Sequence, residues 1–544
     1  MIARAALVRA FAGAALLAPT MGFAQGPDAS RAPAEPHLAV DDWSRLALRR
    51  MAGLGLIDAG AALQAWPMRR SRVRDLFTAA SERAGSAAVT VLPRPHADPQ
   101  STPATTTSST ARLTEAMHAS FLREHPPAPV AAIVANARVR SGRIDQAGRL
   151  LGGVSTRSAG GAWEYGGPVP APQSDGAFIG LDADVAWRIG LGAALRSSSR
   201  GSVDDAHLAL AAGPLDILAG RMPLTLGVGR SGGIVLSPER AFDGVALRTS
   251  WPLRMPGPLR FLRDLRGTLL ISRLERSGPV DAPWFGAAAL GLAPTRNLHI
   301  GLQRAAMFGG AGNVQSLSAR NLLFLLAGMT SQGGKDSGFE NQVASVDVWA
   351  RFTSFGIPFA VYGELGVDDV GFTLFSTAAF IAGLELPALP GVPALSVGVE
   401  HARFPHSCCT HPPWYRHGDL AEGWTDRGWL LGHPLGGEGS EWALHWSAAL
   451  PRVWLSGRAF TRHRGEENLF APVRTGRAWG GALRVDAPFA QRLGVNAAFA
   501  WERGHGGWDH WSVELAARLR LSAGAARIPG ADDRAAAKER SPKQ

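Results

Sequence analysis

ASVDVWARF, residues 344–352, decides the fold because apolar and polar side chains alternate along it. The apolar set is Ala344, Val346, Val348, Ala350 and Phe352, and the residues between them include Ser345, Asp347 and Arg351. A period of two puts the two sets on opposite faces of a β-strand. The sequence therefore predicts a strand with one apolar face and one polar face.

The same alternation recurs in AFIGLDADVAWRI at 177–189, and again at 298–303, 493–502 and 513–521. These repeats extend for about ten residues, which exceeds the usual five or six of a soluble strand and approaches the roughly 9–11 that cross a bilayer at a tilt. The pattern spans residues 131–521, and about 22 residues per strand and loop gives about 18 strands. We predict an all-β fold, a transmembrane antiparallel β-barrel over 131–521.

A large soluble β-sandwich with one solvated face is the alternative fold. It is disfavoured because nearly every strand would need a solvated face, and because aromatic residues recur near the predicted strand ends, as they do at membrane interfaces. These aromatic residues are Trp187, Phe352, Trp442, Trp446, Trp454, Trp479 and Trp501. A barrel of this width has a polar lumen, which is either an open channel or closed by loops.

Residues 1–24 have the pattern of a signal peptide. Arg4 and Arg9 precede a short apolar stretch, Ala10–Ala18, and Gly22-Phe23-Ala24 forms a small-x-small cleavage site. Elsewhere the longest apolar run, Asn321–Met329, is too short for a membrane-spanning helix. We therefore expect export, and the outer membrane of a Gram-negative bacterium is the location that suits a barrel.

The segment before the barrel, residues 25–130, has helical instead of alternating periodicity. Apolar residues recur at helical spacing in Trp43–Leu54, Arg70–Arg83 and Ala111–Arg123, which predicts a small periplasmic helical segment. Residues 92–110 are rich in Pro, Ser and Thr, so we predict a flexible insertion there. The polar tail 522–544 has no strand pattern and is predicted to be disordered.

The formal net charge of +11 is a weak argument for nucleic-acid binding. All but three of the 56 basic residues are arginine, a bias that GC-rich coding can produce without selection for phosphate contacts. An exported barrel also has no routine access to nucleic acid. We therefore expect no nucleic-acid partner.

Four segments resemble, in the same order, segments of the capsule assembly Wzi family. They are DDWSRLALRRMAGLGLIDAGAALQAWPM (41–68), LTLGVGRSGGIVLSPERAFDGVALR (224–248), GLQRAAMFGGAGN (301–313) and WYRHGDLAEGWTDRGWLLGHPLGGEGSEWAL (414–444). The last is the most specific, with Tyr-x-His, Gly-aromatic, Arg-Gly, Leu-Gly-His and Gly-acid-Ser elements in sequence. The resemblance implies an outer-membrane barrel of about 18 strands with a periplasmic helical bundle. It further implies a lectin, without catalysis or cofactor, that anchors capsular or exopolysaccharide while separate machinery exports the polymer.

One predicted loop concentrates groups that suit an acidic sugar polymer. Aromatic faces stack on sugar rings, and the arginine fork matches both oxygens of a carboxylate. The candidate polysaccharide-binding residues are Trp414, Tyr415, Arg416, His417, Trp424 and Arg427. The alternative interpretation is that these residues pack the loop itself over the lumen. The expected partners are an acidic capsular or exopolysaccharide, outer-membrane lipid and the export machinery.

The same loop raises the question of a metal. His401, His406, Cys408, Cys409, His411 and His417 lie close together in the sequence. Adjacent cysteines are a poor substitute for the usual two- to four-residue spacing of zinc ligands, so we predict no metal. Cys408 and Cys409 lie beyond an oxidising periplasm, which favours a vicinal disulfide or two free thiols.

Two other function classes stay open at the level of sequence. No Gly-x-Ser-x-Gly or His-Glu-x-x-His motif occurs, although a catalytic triad from distant strands would leave no local signature. A porin or substrate-specific channel is the main alternative, because inward polar residues such as Asp182, Asp184, Asp347 and Arg351 would equally line an aqueous pore.

Overall fold

The computed structural model describes most of the chain between residues 37 and 522. The described ranges are 37–38, 43–63, 68–89, 109–124, 131–144, 180–186, 191–198, 203–212, 214–222, 224–237, 242–253, 257–258, 263–274, 280–313, 340–368, 377–406, 413–417, 420, 422–426, 429–471, 474–488 and 493–522. The predicted signal peptide, most of the predicted insertion and the tail beyond residue 522 lie outside them.

The described residues before the barrel form four helices: α1 Ser44–Gly53, α2 Ala59–Ala62, α3 Arg70–Val89 and α4 Ser109–Glu124. Helix α1 buries Ala47, Leu48 and Met51 along one side, the spacing that the sequence predicts. Helices α3 and α4 pack through the stacked rings of Phe77 and Phe121, whose centroids are 4.8 Å apart. Because α4 begins at Ser109, the last two residues of the predicted flexible insertion are helical. Among the described residues, no helix is both long and apolar enough to span a bilayer.

The strands follow in chain order. They are β1 His37–Leu38, β2 Met68–Arg69, β3 Ala131–Ile144, β4 Gly180–Ala186, β5 Leu191–Ser198, β6 Val203–Ala212, β7 Leu215–Met222, β8 Phe242–Thr249, β9 Leu265–Arg273, β10 Trp284–Thr295, β11 Leu298–Phe308, β12 Glu340–Ser354, β13 Ile357–Asp368, β14 Ala379–Leu386, β15 Leu395–Phe404, β16 Thr425–Asp426, β17 Trp429–Leu430, β18 Gly439–Leu450, β19 Val453–Arg464, β20 Gly476–Pro488, β21 Leu493–Gly504 and β22 Asp509–Ser522.

Strands β3–β15 and β18–β22 pair in a closed antiparallel order. Each pairs with its neighbours along the chain, and β22 returns to pair with β3, placing His510 opposite Ile144 and Ser522 opposite Ala132. Pairs β1–β2 and β16–β17 form separate two-stranded sheets. Closure gives every barrel strand two neighbours, as a sheet that spans a bilayer requires.

The alternation seen in the sequence separates the outward face from the lumen. On β12, Val346 and Val348 are 37% and 41% exposed, whereas Asp347 is 1% exposed. The inward row of the same strand also holds Ser345 and Trp349, both buried. Apolar side chains therefore face outward and polar ones face the lumen, as a transmembrane barrel requires and a soluble sandwich does not.

Most of the described aromatic residues predicted at interfaces do lie on the outward face. Trp442 and Trp479 are each 55% exposed there. Trp454 is an exception and corrects the prediction, because it points into the lumen and is buried. Its ring packs against that of Trp43, just before α1, at 5.3 Å between centroids. This inward residue near the start of β19 therefore packs against the helical segment and does not lie at the membrane interface.

The two ends of the barrel differ. At one end, here the turn end, two-residue turns join β10 to β11, β12 to β13 and β18 to β19. The helices dock at this end: Ala59 N–H donates to Arg296 O (3.0 Å), and Arg351 Nε donates to Gly53 O (2.9 Å). At the other end, the loop end, long segments such as 309–339 and 405–438 join the strands. Short periplasmic turns and long external loops are the rule for such barrels, so we expect the loop end to be the external one.

Candidate functional site

The segment between β7 and β8 folds into the lumen from the loop end. We call residues 224–237 the inward loop. Arg230 N–H and Ser231 N–H donate to the two oxygens of Glu400 on β15 (2.6 and 2.8 Å), and Ile234 N–H donates to Glu364 on β13 (3.0 Å). Bonds from backbone N–H groups to a buried carboxylate are about twice as strong as neutral ones. Lumen carboxylates therefore fix the inward loop in place.

Glycine is required where the inward loop turns on itself. A Cβ on Gly233 would lie 2.1 Å from the carbonyl oxygen of Leu226. Gly227 has a φ of +96°, and a Cβ there would lie 2.7 Å from a carboxylate oxygen of Glu364. The glycine-rich sequence is therefore what allows this segment to fold compactly inside the barrel.

Helix α1 meets the inward loop from the opposite end of the lumen. Arg49 Nη1 donates to Val228 O (2.5 Å), and Arg49 Nε donates to Glu385 on β14 (3.1 Å). The same guanidinium lies 4.5 Å from the centroid of the Tyr362 ring, whose hydroxyl donates to Glu400 (2.9 Å). Elements from both ends of the barrel are thus joined within the lumen.

A second segment lies over the inward loop. We call residues 413–437 the cover loop. Tyr415 Oη donates to Ile234 O (2.6 Å) and accepts from His433 N–H (3.0 Å), while Trp424 Nε1 donates to Val235 O (3.0 Å). Ser237 N–H in turn donates to Leu431 O (2.7 Å). The most specific sequence motif therefore forms the cover over the inward loop.

The three predicted aromatic ligands are buried within the cover loop. Trp414, Tyr415 and Trp424 are at most 3% exposed, and Trp414 Nε1 donates to Thr377 O (2.8 Å). Their rings and polar atoms contact protein, as the loop-packing interpretation expects. Tyr415 also adopts a left-handed backbone (φ +67°), which its N–H bond to Asp368 (2.6 Å) helps to hold.

The other candidate residues are placed differently. Arg416 and His417 are half-buried, and Arg416 Nη2 donates to Asn468 O in the β19–β20 loop (2.7 Å). Burial lowers the pKa of Arg416, and the nearby Glu467 and Glu438 oppose that shift. Arg427, Cys408 and Cys409 lie outside the described residues, so their predicted roles stay predictions.

Three titratable groups from separate segments meet at the loop end. His406 Nδ1 lies 2.8 Å from Glu438 Oε1 and 3.4 Å from Glu467 Oε2, while Glu438 Oε2 accepts from Glu467 N–H (2.8 Å). The hydrogen bond to Glu438, followed by the charge of Glu467, raises the pKa of His406. Their ligand atoms are close enough for one cation, although the hydrogen bonds already account for the arrangement. Sequence reasoning named His406 but missed its partners, because the three residues are far apart in the chain.

A buried charge network lines the lumen beneath the cover loop. Glu441 pairs with Arg458 and with Arg462 (2.8 Å), and Arg464 pairs with Glu502 (3.0 Å). All five side chains are buried. Alternation alone predicts that they face the lumen, since on each strand they alternate with outward residues. It could not show which residues pair across the strands.

One constellation superficially resembles a catalytic triad. Ser231 Oγ lies 3.2 Å from His445 Nε2, and Glu400 Oε1 lies 3.7 Å from the same nitrogen. In a triad the acid holds the other ring nitrogen, leaving Nε2 to the serine. All three side chains are also fully buried. This cluster therefore anchors the inward loop and is not arranged for nucleophilic catalysis.

The sequence of the barrel matches a known protein family. A family model described as capsule assembly protein Wzi matches residues 133–506, which is well over half of the sequence. The chain belongs to the Wzi capsule assembly family. The match covers both loops and nearly the whole barrel, so the family assignment rests on the same elements that fill the lumen.

A solved structure shares the fold of this chain. The Escherichia coli protein Wzi, described as a carbohydrate-binding β-barrel of the outer membrane involved in group 1 capsule assembly, aligns with a TM-score of 0.65 at 16% identity. The alignment covers 90% of this chain and all of that one, and it shows a shared fold. Pseudomonas aeruginosa OccK11 (OpdR) aligns with a TM-score of 0.42 at 14% identity, over 72% of this chain and 95% of its own. Among curated proteins, none matches this sequence.

Proposed function

We propose that this protein is an outer-membrane lectin that holds capsular or exopolysaccharide at the cell surface. Membership of the Wzi family and the fold shared with a carbohydrate-binding barrel support this function. The observation that carries it is the filled lumen: the inward loop, the cover loop and α1 meet inside the barrel and leave the loop end as the functional surface. A lectin needs such a surface and needs no pore.

The filled lumen also argues against the channel alternative. Polar inward residues such as Asp347 on β12 are buried and hydrogen-bonded to neighbours instead of lining water. Arg351, another residue considered for a pore, donates to α1. The inward loop is held within the lumen by its carboxylate partners, so we expect little conductance from the resting protein.

We place polymer binding at the edge of the cover loop. Arg416 and His417 are half-buried there, and Arg427 belongs to the same segment. The guanidinium groups favour an acidic polymer, whose carboxylates they can bind bidentately. Trp414, Tyr415 and Trp424 act in this proposal by holding the loop in shape. In this proposal the protein binds the polymer without catalysis, contacts outer-membrane lipid and acts together with separate export machinery.

The direct test uses purified protein in detergent. Immobilised on an affinity support, the protein should retain an acidic exopolysaccharide. It should not retain the same polymer once the carboxylates have been reduced to alcohols. The parallel measurement is current across planar bilayers, where we expect almost none. Large steady currents together with no polymer retention would overturn the proposal in favour of a channel.

A further inference from the structure

Three neighbouring strands of the barrel end at the same level at the loop end. The last residue of β15 pairs with the first residue of β18, which pairs in turn with the last residue of β19. The segments next to these strand ends therefore lie side by side, although they are far apart in the sequence. Each supplies one side chain to the same point: His406 follows β15, Glu438 precedes β18 and Glu467 follows β19. We call these three residues the loop-end cluster.

The spacing of the loop-end cluster matches the ligand shell of a small cation. His406 Nδ1 lies 2.8 Å from Glu438 Oε1 and 3.4 Å from Glu467 Oε2, and the three ligand atoms all lie within 4.8 Å of one another. Zinc holds nitrogen and carboxylate oxygen at about 2.0–2.2 Å in a tetrahedron, which places neighbouring ligand atoms about 3.3 Å apart. Small side-chain adjustments would therefore bring all three atoms onto one zinc ion.

Glu438 is held in place by the loop between β19 and β20. Its backbone oxygen accepts from Gly465 N–H (3.1 Å) and from Asn468 Nδ2 (2.9 Å), and its Oε2 accepts from Glu467 N–H (2.8 Å). A Cβ on Gly465 would overlap the carboxylate oxygens of Glu438, so glycine makes room for that group. The other oxygen, Oε1, is the one that faces His406. The protein thus orients this carboxylate before any ion binds, as a metal site requires.

Carboxylates outnumber the histidine within the loop-end cluster. Glu438 and Glu467 both act on His406, and the exposed Glu466 adds its field from the same loop. Arg416 lies near the two cluster carboxylates, but its Nη2 donates to a backbone oxygen. A proton on His406 balances one carboxylate, whereas a divalent cation balances both. The local charge therefore favours a divalent cation at this point.

The donor set selects zinc among the common divalent cations. Calcium takes roughly six to eight oxygen ligands, and magnesium takes a near-octahedral set of oxygens that includes several waters. One imidazole nitrogen with two carboxylate oxygens is instead a set that zinc accepts, with water in the fourth position. The His406 side chain is 68% exposed, so an ion can enter from solvent and a water can complete its shell.

We propose that the loop-end cluster binds one zinc ion through His406 Nδ1 and one oxygen each of Glu438 and Glu467. Zinc replaces the hydrogen bond between His406 and Glu438 with a bond from each to the metal, and any proton held on Nδ1 leaves to solvent. The ion ties together three segments of the loop end that are distant in sequence. Cys408 and Cys409 are not part of this ligand set. The proposal does not depend on carbohydrate binding, so either can fail without the other.

The test measures zinc binding by the full-length, untagged protein in detergent. The protein is freed of metal with a chelator and titrated with zinc chloride in a calorimeter. The variant Cys408→Ser/Cys409→Ser/His411→Gln removes other nearby groups that could bind zinc, and it should still bind one ion per chain. In this background, His406→Gln and Glu467→Gln should each weaken binding at least about 100-fold, because loss of an outer-shell partner alone costs roughly 10- to 100-fold. Excess calcium or magnesium should not displace the zinc.

Matched variants separate the zinc site from a general effect of charge or folding. Glu466→Gln removes an exposed carboxylate of the same loop and should change the affinity by no more than about fivefold. His505→Gln removes an exposed histidine from another loop and should change nothing. Gly465→Ala keeps all three ligands but displaces the Glu438 carboxylate, so it should also weaken binding.

Three results would overturn the zinc site. They are the absence of saturable zinc binding, its loss in the background variant that lacks the two cysteines, and equal binding by the ligand variants and the matched variants. Retention of acidic polymer by the metal-free protein is measured in parallel. Polymer retention without zinc binding would refute this proposal alone and leave the lectin function standing.

Discussion

Glu400→Gln offers the sharpest test of the filled lumen. The Glu400 carboxylate accepts hydrogen bonds from Arg230 N–H, Ser231 N–H and Tyr362 Oη, at 2.6, 2.8 and 2.9 Å. A glutamine has nearly the same shape but only one accepting oxygen, and its amide nitrogen would face a donor. The substitution therefore removes both the negative charge and at least one bond that hold the inward loop.

The expected effect follows from these three bonds. Hydrogen bonds to a charged group contribute roughly 1.5–3 kcal/mol each, so losing one and weakening the others should cost about 4 kcal/mol of docking free energy. Since about 1.4 kcal/mol is a factor of ten, the ratio of undocked to docked loop should rise by about 1,000-fold. An undocked inward loop leaves the lumen open at the level of β13–β15.

Single-molecule recording in planar bilayers detects this change directly. We expect the wild type to be almost silent and Glu400→Gln to show repeated openings. Glu441→Gln is the matched control, because this lumen carboxylate on the next strand pairs with Arg458 and Arg462 and not with the inward loop. Silence in both variants, or equal opening in both, would refute the reasoning that Glu400 closes the lumen.

Three further predictions concern the cover loop. Tyr415→Phe removes a hydroxyl that hydrogen-bonds both Ile234 O and His433 N–H, which should cost roughly 2 kcal/mol of docking free energy of the cover loop. We expect added protease to cleave the loop about tenfold faster or more. Unchanged cleavage would contradict this role of the hydroxyl. Burial lowers the pKa of His433 from 6.5 to about 4, so the docked loop has its full stability above pH 6.5 and loses up to about 3 kcal/mol as the pH falls to 4. Acid should therefore increase cleavage of the loop by protease, and His433→Asn should abolish this pH dependence. Arg416→Ala with Arg427→Ala should weaken retention of acidic polymer at least tenfold while the barrel still resists heat in detergent, and unchanged retention would assign these residues a purely structural role.

The barrel and its faces were predictable because alternation is a local property. Val346, Asp347 and Val348 already separate the outward face from the lumen, and the structure confirms that separation. The helices were predictable for the same reason, since apolar residues that recur every three or four positions form a pattern that is visible within one or two turns. Trp454 shows the limit of the prediction. It lies near a strand end, as an interfacial aromatic residue would, but its side chain is on the inward face and packs against Trp43.

The site was less predictable because its contacts join distant segments. The motif around Tyr415 marked the right loop, yet sequence could not show that its ring is buried against Ile234. Glu400 and Arg49 could be read as polar residues on regular elements, but no local pattern links either to the inward loop. Contacts between residues more than a hundred positions apart depend on barrel closure, which only the folded chain supplies.

Cell-attached polymer measures the central claim most directly. In a strain that lacks this protein, we expect the total acidic polysaccharide to stay constant while the cell-bound fraction falls and the fraction in the medium rises, and the wild-type chain should reverse the shift. Polymer that stays on the cell surface without the protein would contradict a lectin that anchors it, and loss of total polymer would instead indicate a role in export.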